Sequence, residues 1–132
     1  MTVNDIRATI EQRIAAEMAN APPYPVHWGN APFNPPNNSP WLEVALQFGD
    51  DAYATMASFN RQNGVLVVNI YAPIGAGAAV AFDIAARIKS LFSRVNTGGI
   101  IFQAGNGPSQ VLSASPEAYY QTQLIIPFEA YQ

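Results

Sequence analysis

The sequence predicts an α+β fold: one mostly antiparallel or mixed sheet with two helices packed on one of its faces. Two segments place apolar residues at helical spacing, and the others alternate or run continuously in apolar residues, as strands do. Several strand-like segments are joined by links of hairpin length, which favours antiparallel neighbours over parallel strands with crossover helices. The predicted order of elements is αβββαβββ, within a single domain over residues 1–132.

The first element is a helix over about residues 3–18, and a short strand at 26–28 follows it. Thr2 or Asn4 can cap the helix at its start. The prolines of "NAPPYP" end it, because proline has no amide hydrogen and restricts the residue before it. The helix has one apolar stripe, with spacings of three and four residues: Val3, Ile6, Ile10, Ile14 and Met18.

Two further strands are predicted before the second helix. In the run from Trp41 to Phe48, apolar residues alternate from Leu42 onward and share one face. The run "GVLVVNIY", residues 64–71, is almost continuously apolar, which is typical of a central strand buried on both faces.

A second helix is predicted at about residues 76–92. Val80, Ile84, Ile88 and Leu91 fall on one side of it, whereas its charged and polar residues lie towards the other. Three short strands complete the chain, at about 99–104, 110–115 and 120–127. Turn residues in "GNGPS" and "SPEA" separate them.

The composition excludes several classes of function. Charged residues make up 11% of the chain, against about 25% in an average protein, so part of the surface is expected to lie against partners. A net charge of −3 disfavours specific binding to nucleic acid. No cysteine is present, which excludes disulfides and thiolate metal sites. The first residues do not resemble a signal peptide and no apolar run is long enough to span a membrane, so we expect a soluble protein made in a cytoplasm.

Few residues are candidates for chemistry. The single histidine, His27, falls in a predicted edge strand, where we interpret it as a surface residue. The nine carboxylates show no spacing typical of a metal site. Asp50 and Asp51 are interpreted as turn and solubilising residues. The sequence therefore predicts no catalytic residue, no metal and no cofactor, and we expect no enzyme activity.

The stretch "LVVNIYAPIGAGAAVAFDIA" offers one alternative. It runs from a strand through a glycine-rich turn into a helix, which is the order of a phosphate-binding turn. Val80 stands where a third glycine belongs, and no Gly-Lys-Ser/Thr follows. A small ligand-binding or nucleotide-binding module thus stays open as a weaker hypothesis, and a flexible linker is the simpler interpretation.

The most unusual stretch is "WGNAPFNPPNNSPWLEV", Trp28 to Val44, which is rich in proline and almost without charge. Together with "IRATIEQRI", "VNIYAPIGAG", "RIKSLF", "TGGIIFQAG" and "YQTQLIIPFEAY", in this order, it resembles the tail terminator proteins of long-tailed bacteriophages. The resemblance covers nearly the whole chain, although its positions are aromatic, proline and glycine residues rather than catalytic signatures.

The resemblance implies a structural protein of the virion. Members of that family form hexameric rings that cap the tail tube, halt its polymerisation and present a surface to the head-side connector. The implied partners are further copies of the chain, the tail tube protein and a head-side connector or stopper protein. The implied location is the head–tail interface of the virion, after assembly in the host cytoplasm. Another head–tail connector subunit, such as a head-completion or adaptor protein, is the nearest alternative.

Two segments are the predicted interfaces. Prolines such as Pro35 stiffen the loop after Trp28, so that Phe33 and Trp41 can anchor a neighbouring subunit. Phe33 and Trp28 can instead cover the chain's own sheet, and both interpretations stay open.

The second segment is the link between the two longer strands, about Phe48–Gly64, which we expect to act as an arm that orders on the tube. An ordinary loop or a frayed extension of the two strands is its alternative. The predicted contact residues of the arm are Asp50, Asp51, Tyr53, Met56 and Phe59. A charge of −3 per subunit would also keep DNA from binding to the bore of a ring.

Overall fold

The computed structural model describes residues 2–20, 23–29, 39–53, 60–73, 79–111 and 119–131. The predicted α+β fold and order of elements are confirmed. The elements are helix α1 (Val3–Met18), strands β1 (Val26–Trp28), β2 (Trp41–Tyr53) and β3 (Asn60–Pro73), helix α2 (Ala79–Phe92), and strands β4 (Asn96–Thr97), β5 (Ile100–Phe102), β6 (Asn106–Val111) and β7 (Tyr119–Tyr131).

The strands form one sheet in the order β1-β2-β3-β7-β5-β4, and β6 also pairs with β7. β1 runs parallel to β2, and the other neighbouring strands are antiparallel. β7 lies between β3 on one side and both β5 and β6 on the other. The expectation of a mixed, mostly antiparallel sheet is therefore confirmed.

Helix α1 has the predicted start and the predicted buried stripe. The Thr2 hydroxyl accepts from the Asp5 amide at 3.1 Å, and the Asp5 carboxylate accepts from the Thr2 amide at 2.8 Å. This capping box satisfies two amides that the helix itself leaves unpaired. Ile6, Ile10 and Ile14 are fully buried, and each contributes about 1.5–3 kcal/mol relative to an exposed position.

Helix α2 packs antiparallel to α1. Arg13 Nε donates to the carbonyl of Leu91 at 3.1 Å, and Arg87 Nε donates to Glu17 Oε1 at 3.2 Å. Nη2 of the same Arg87 side chain donates to the backbone carbonyl of Glu17 at 3.0 Å. Because residue 13 meets 91 and residue 17 meets 87, the two helix axes run in opposite directions.

The core lies between these helices and one face of the sheet. Successive strand residues point to opposite faces, so Leu42, Ile70, Leu124 and Ile126 all meet the helices. Ala81, Ile84, Ala85, Ile88 and Phe92 form the buried side of α2. The sequence prediction assigned Val80 and Leu91 to this side, and both are partly buried against the same cluster.

Strands β2 and β3 are longer than predicted. After an irregularity between Phe48 and Asp51, pairing resumes at Asp51↔Gln62 and continues to Tyr53↔Asn60. The side-chain amide of Gln62 stabilises this extension, because its Nε2 donates to the Gly49 carbonyl at 2.9 Å. Backbone pairing does not require apolar side chains, so polar residues extend the ladder. The predicted long link is thus largely strand, and its remainder, residues 54–59, lies outside the described residues.

The last strands also differ from prediction in their bounds. Residues of "GNGPS", predicted as a turn, lie on β6, where Ser109 pairs with Gln123. Gly107 has φ +102, which glycine adopts without strain and which accommodates the irregularity between Asn106 and Ser109. β7 continues to Tyr131, four residues beyond its predicted end, because it pairs with β3 and β5 there. β4 adds a two-residue strand beside β5.

Candidate assembly surfaces

The face of the sheet opposite the helices, here called the outer face, is unusually polar at its centre. It consists of the alternate residues of the three long strands: Trp41, Glu43, Ala45 and Gln47 on β2, Val65, Val67, Asn69 and Tyr71 on β3, and Gln121, Gln123, Ile125 and Pro127 on β7. Most of these side chains are partly buried.

A row of polar side chains crosses four strands of the outer face. His27, Glu43, Asn69 and Gln123 are direct cross-strand partners from β1 to β7. His27 Nδ1 lies 3.4 Å from Glu43 Oε2, and Asn69 Nδ2 donates to Glu43 Oε1 at 3.2 Å. Asn69 Oδ1 accepts from Gln123 Nε2 at 3.3 Å. Such pairs contribute about 0.2–1 kcal/mol each and fix the register of the strands.

An aromatic pair lies beside this row. Trp41 and Tyr71 are cross-strand partners, with stacked rings 4.3 Å apart between centroids, and about 5–6% of each is exposed. Burial, and to a lesser extent the charge of Glu43, raises the pKa of Tyr71. Gln121 lies opposite Tyr71 and donates to Asn69 Oδ1 at 3.1 Å. Among the described residues, its buried Oε1 has no hydrogen-bond donor.

The next two rungs of the outer face are mostly apolar. On the side of the row away from Trp41, Ala45, Val67 and Ile125 are cross-strand partners, and Gln47, Val65 and Pro127 form the next rung. Val67 is buried and the other apolar members of these rungs are partly exposed. These two rungs form an uncharged, largely apolar patch beside the hydrogen-bonded polar row, and beyond them on the same face Arg61 Nε lies 3.9 Å from Glu129 Oε2.

A groove lies at the other face of β2, under the first turns of α1. Its volume is about 420 Å³, and we call it the α1 groove. Val3, Arg7 and Glu11 form its helix side, and Leu46 and Phe48 form its floor. It exists because β1 pairs only with residues 42–44 of β2, so among the described strands none covers β2 from residue 45 onward. Arg7 spans its rim, bonded to Glu11 at 2.9 Å and Asn4 at 2.8 Å.

The predicted interface residues fall in different places. Trp41 packs against Tyr71 of its own sheet, whereas Phe33 and Pro35 lie outside the described residues. Asp50 and Asp51 were predicted in a turn, and this is wrong because both lie on β2, which continues to Tyr53. Met56 and Phe59 also lie outside the described residues. The structure therefore places part of the predicted arm on a β2–β3 hairpin.

Comparison with known proteins decides the family. A family model described as phage tail terminator protein matches residues 5–128. The chain belongs to the phage tail terminator family. A solved structure is similar over 98% of this chain and 96% of its own, with a TM-score of 0.73 and 25% sequence identity. A search of curated proteins found no match.

As a member of the tail terminator family, the chain is a structural protein of the phage tail that interacts with other phage tail and head proteins. Within the described ranges of this tail terminator, no three His, Cys, Asp or Glu residues cluster as metal ligands. Neither described helix is long and apolar enough to cross a membrane. His27 lies on the edge strand β1, as predicted, and faces Glu43. The glycine-rich turn that the sequence predicts before α2, at residues 74–78, lies outside the described part of this tail terminator.

Sequence analysis missed the polar row. Asn69 interrupts an otherwise apolar strand, and Gln121 and Gln123 alternate at the start of β7. These were the available signals, because a polar residue in a buried strand needs a partner. The partner itself depends on the register of strands that are distant in sequence. That register cannot be deduced from local spacing.

Proposed function

We propose that this chain forms a hexameric ring that caps the phage tail tube, stops its polymerisation and joins the tail to the head-side connector. The family match over residues 5–128 carries this proposal. The proposed partners are further copies of the chain, the tail tube protein and a connector or stopper protein on the head side. The ring would be assembled in the host cytoplasm and act without enzyme activity.

The physical character of the chain supports an assembly role. Only 11% of its residues are charged, and the outer face presents apolar residues such as Val65 and Ile125 in partly exposed positions. Subunit interfaces are depleted in charge at their centres and combine apolar contacts with hydrogen bonds. A net charge of −3 per subunit is multiplied in a ring, so DNA passes through the bore without specific binding.

Two segments are proposed to make the contacts. Phe33 and Pro35 of the proline loop would contact a neighbouring subunit, and Trp41, packed on Tyr71, would hold the loop's end in place. The hairpin residues Asp50, Asp51, Tyr53, Met56 and Phe59 would contact the end of the tube. β2 and β3 pair as far as Tyr53↔Asn60, so the hairpin offers a firm stem for this contact.

The ring itself is tested by the purified protein. Mass photometry and negative-stain images are expected to show six-subunit rings of a 14.2 kDa chain. Rings added to polymerising tube protein should stop elongation. If rings form but tubes continue to grow, the chain is a connector subunit rather than a cap. Monomers at every concentration tested would contradict the ring.

Phe33→Ala tests the loop and should weaken assembly by about 2 kcal/mol per contact. The melting temperature under monomeric conditions should be unchanged. The exposed substitution Gln12→Ala on α1 is the matched control and should leave both measurements unchanged. A loss of monomer stability with normal assembly would show that Phe33 covers its own sheet.

Replacing residues 54–59 with Asn-Gly, a turn that suits a two-residue hairpin, tests the tip of the arm. The stem pairs up to Tyr53↔Asn60, so the domain should still fold. Phage tails assembled with this variant should grow past their normal length or fail to join heads. Tails of normal length that join heads would rule out a role for the tip.

A further inference from the structure

Two large apolar side chains among the described residues are exposed, and they lie at opposite ends of the helix pair. Val3 is 43% exposed at the start of α1, on the rim of the α1 groove. Phe82 is 42% exposed near the start of α2. Large aromatic side chains are frequent anchors of protein interfaces, and the exposed Phe82 is therefore a candidate contact.

The surroundings of Phe82 suit a protruding anchor. Ala79, Asp83 and Ala86 are its exposed neighbours on α2, and together these four residues form what we call the α2 ridge. Alanine side chains on either side allow another surface to approach Phe82 closely. Asp83 is exposed, and no described cation forms an ion pair with it.

The α1 groove has the matching character. Its floor is apolar, and its volume of about 420 Å³ is ample for one aromatic ring. Arg7 lies on its rim with a 45% exposed side chain, and its Nε and Nη1 are engaged by Asn4 and Glu11. Its Nη2 hydrogens have no acceptor among the described residues, so a carboxylate beside an inserted ring could bind there.

Phe82 cannot reach the α1 groove of its own chain. Glu17 contacts Arg87 in the antiparallel helix pair, so Phe82 lies beyond that contact in one direction and Arg7 in the other. Fifteen residue steps at ~1.5 Å each separate them by about 22 Å along the axis. The anchor and the groove are therefore separate patches at opposite ends of the helix pair, and a head-to-tail contact joins two such different patches.

We propose that Phe82 of one copy inserts into the α1 groove of the next copy, with Asp83 beside Arg7. The occupant is a second copy of this chain, because the exposed ring with its carboxylate and the groove with its cation complement each other. This proposal rests on the ring proposed above and assigns one of its contacts. It does not depend on the proline loop or on the hairpin tip.

Two variants each remove one half of the contact. Phe82→Arg removes the anchor, and Val3→Glu puts a charge at the groove while favouring the helix start. Each variant alone should need a concentration about 30-fold higher than the wild type needs to assemble. This is the factor expected for the loss of a hot spot. Both should melt at the wild-type temperature when monomeric, because both positions are exposed. Gln12→Ala is the control and should assemble normally.

Mixing the two variants gives the sharper test. The Val3→Glu chain keeps its anchor and the Phe82→Arg chain keeps its groove, so one intact contact can form between them. At high concentration the mixture should give heterodimers of twice 14.2 kDa and nothing larger. An interface elsewhere on the chain would give either full rings or no association in the mixture, and both results would overturn the proposal.

The charges can be tested separately. Arg7→Asp and Asp83→Arg should each weaken assembly, and the double variant should recover it. Wild-type rings together with normal rings from Phe82→Arg would overturn this contact and leave the ring in place. A wild type that never assembles would overturn both, so the two proposals fail in distinguishable ways.

Discussion

Asn69 is bonded on both sides within the outer face: its amide donates to Glu43 Oε1 at 3.2 Å, and its carbonyl oxygen accepts from Gln121 and Gln123. One side chain thus joins β2, β3 and β7 through three hydrogen bonds. The Asn69 side chain donates from its nitrogen and accepts at its oxygen, whereas an ionised carboxylate has no hydrogen to donate and an apolar residue has neither group.

Asn69→Asp should therefore lower the free energy of unfolding by about 1–3 kcal/mol, because the donor to Glu43 becomes a second negative charge. Urea unfolding under monomeric conditions measures this loss. Gln47→Glu adds the same charge at an exposed position on the same face and is the matched control. Equal stability of the two variants would show that the amide has no special part.

Gly64→Ala should destabilise the fold by about 1–3 kcal/mol through overpacking. A Cβ at residue 64 would lie 2.6 Å from Phe128 Cζ and 2.9 Å from the Gln47 carbonyl oxygen. At Gly49 the nearest atom to an added Cβ is 3.7 Å away, so Gly49→Ala should change stability by less than about 0.5 kcal/mol. Thermal melting compares the two, and a similar cost at both positions would contradict the packing argument.

Thr2→Ala should remove one half of the capping box and cost about 0.5–2 kcal/mol. Thr2→Ser keeps the hydroxyl and should retain most of that stability. Chemical denaturation followed by far-ultraviolet circular dichroism, which reports secondary structure, measures both effects. If serine and alanine behave alike, the hydroxyl bond to the Asp5 amide does not stabilise α1.

The same cap gives an acid-dependent effect. The hydrogen bond from the Thr2 backbone amide and, to a smaller extent, the one from the Thr2 hydroxyl hold the pKa of Asp5 below its usual value. A lowered folded-state pKa stabilises the fold above the unfolded pKa of about 3.9, and this contribution disappears as the pH falls through the folded value. The loss of stability caused by Asp5→Asn should therefore be larger at pH 6 than at pH 2. A constant difference across this range would contradict the assignment.

Tyr71 should make the fold sensitive to alkali. Its folded-state pKa is raised by burial and by Glu43, so the unfolded chain loses the phenol proton first as the pH passes about 10. Stability contributed by the neutral phenol is full below that pH and falls above it. Unfolding curves from pH 8 to 11 should therefore fall less steeply for Tyr71→Phe than for the wild type. Parallel curves would show that Tyr71 ionises alike in both states.

The sequence predicted the elements whose causes are local. The spacing of Ile6, Ile10 and Ile14 identifies α1, and its start lies at Thr2, one of the two caps that the sequence offered. The ends of β2 and β3 were not predicted, because Asp51↔Gln62 and its neighbours pair through backbone groups that carry no sequence signature.

The surfaces were harder to predict than the elements. The row from His27 to Gln123 depends on the register of four strands, and the α1 groove depends on where β1 stops beside β2. Phe82 falls among apolar residues of α2, and only the packing shows that its side chain is outside the core. Alternation and helical spacing predict on which face of its strand or helix a residue lies. A site can be predicted only when it is also known which of these faces lie against each other.

The place of β7 in the sheet sets the order in which this protein can be completed. β7 comes after every other described element, yet it separates β3 from β5 and β6. A nascent chain that has not reached residue 119 has no strand to join these two halves, and the edge of β3 stays open. Such long-range pairing slows folding, because the entropy of bringing distant segments together is lost before their contacts stabilise the chain. Only a subunit that contains β7 would therefore offer the finished outer face, and fragments without β7 would be unfit for assembly.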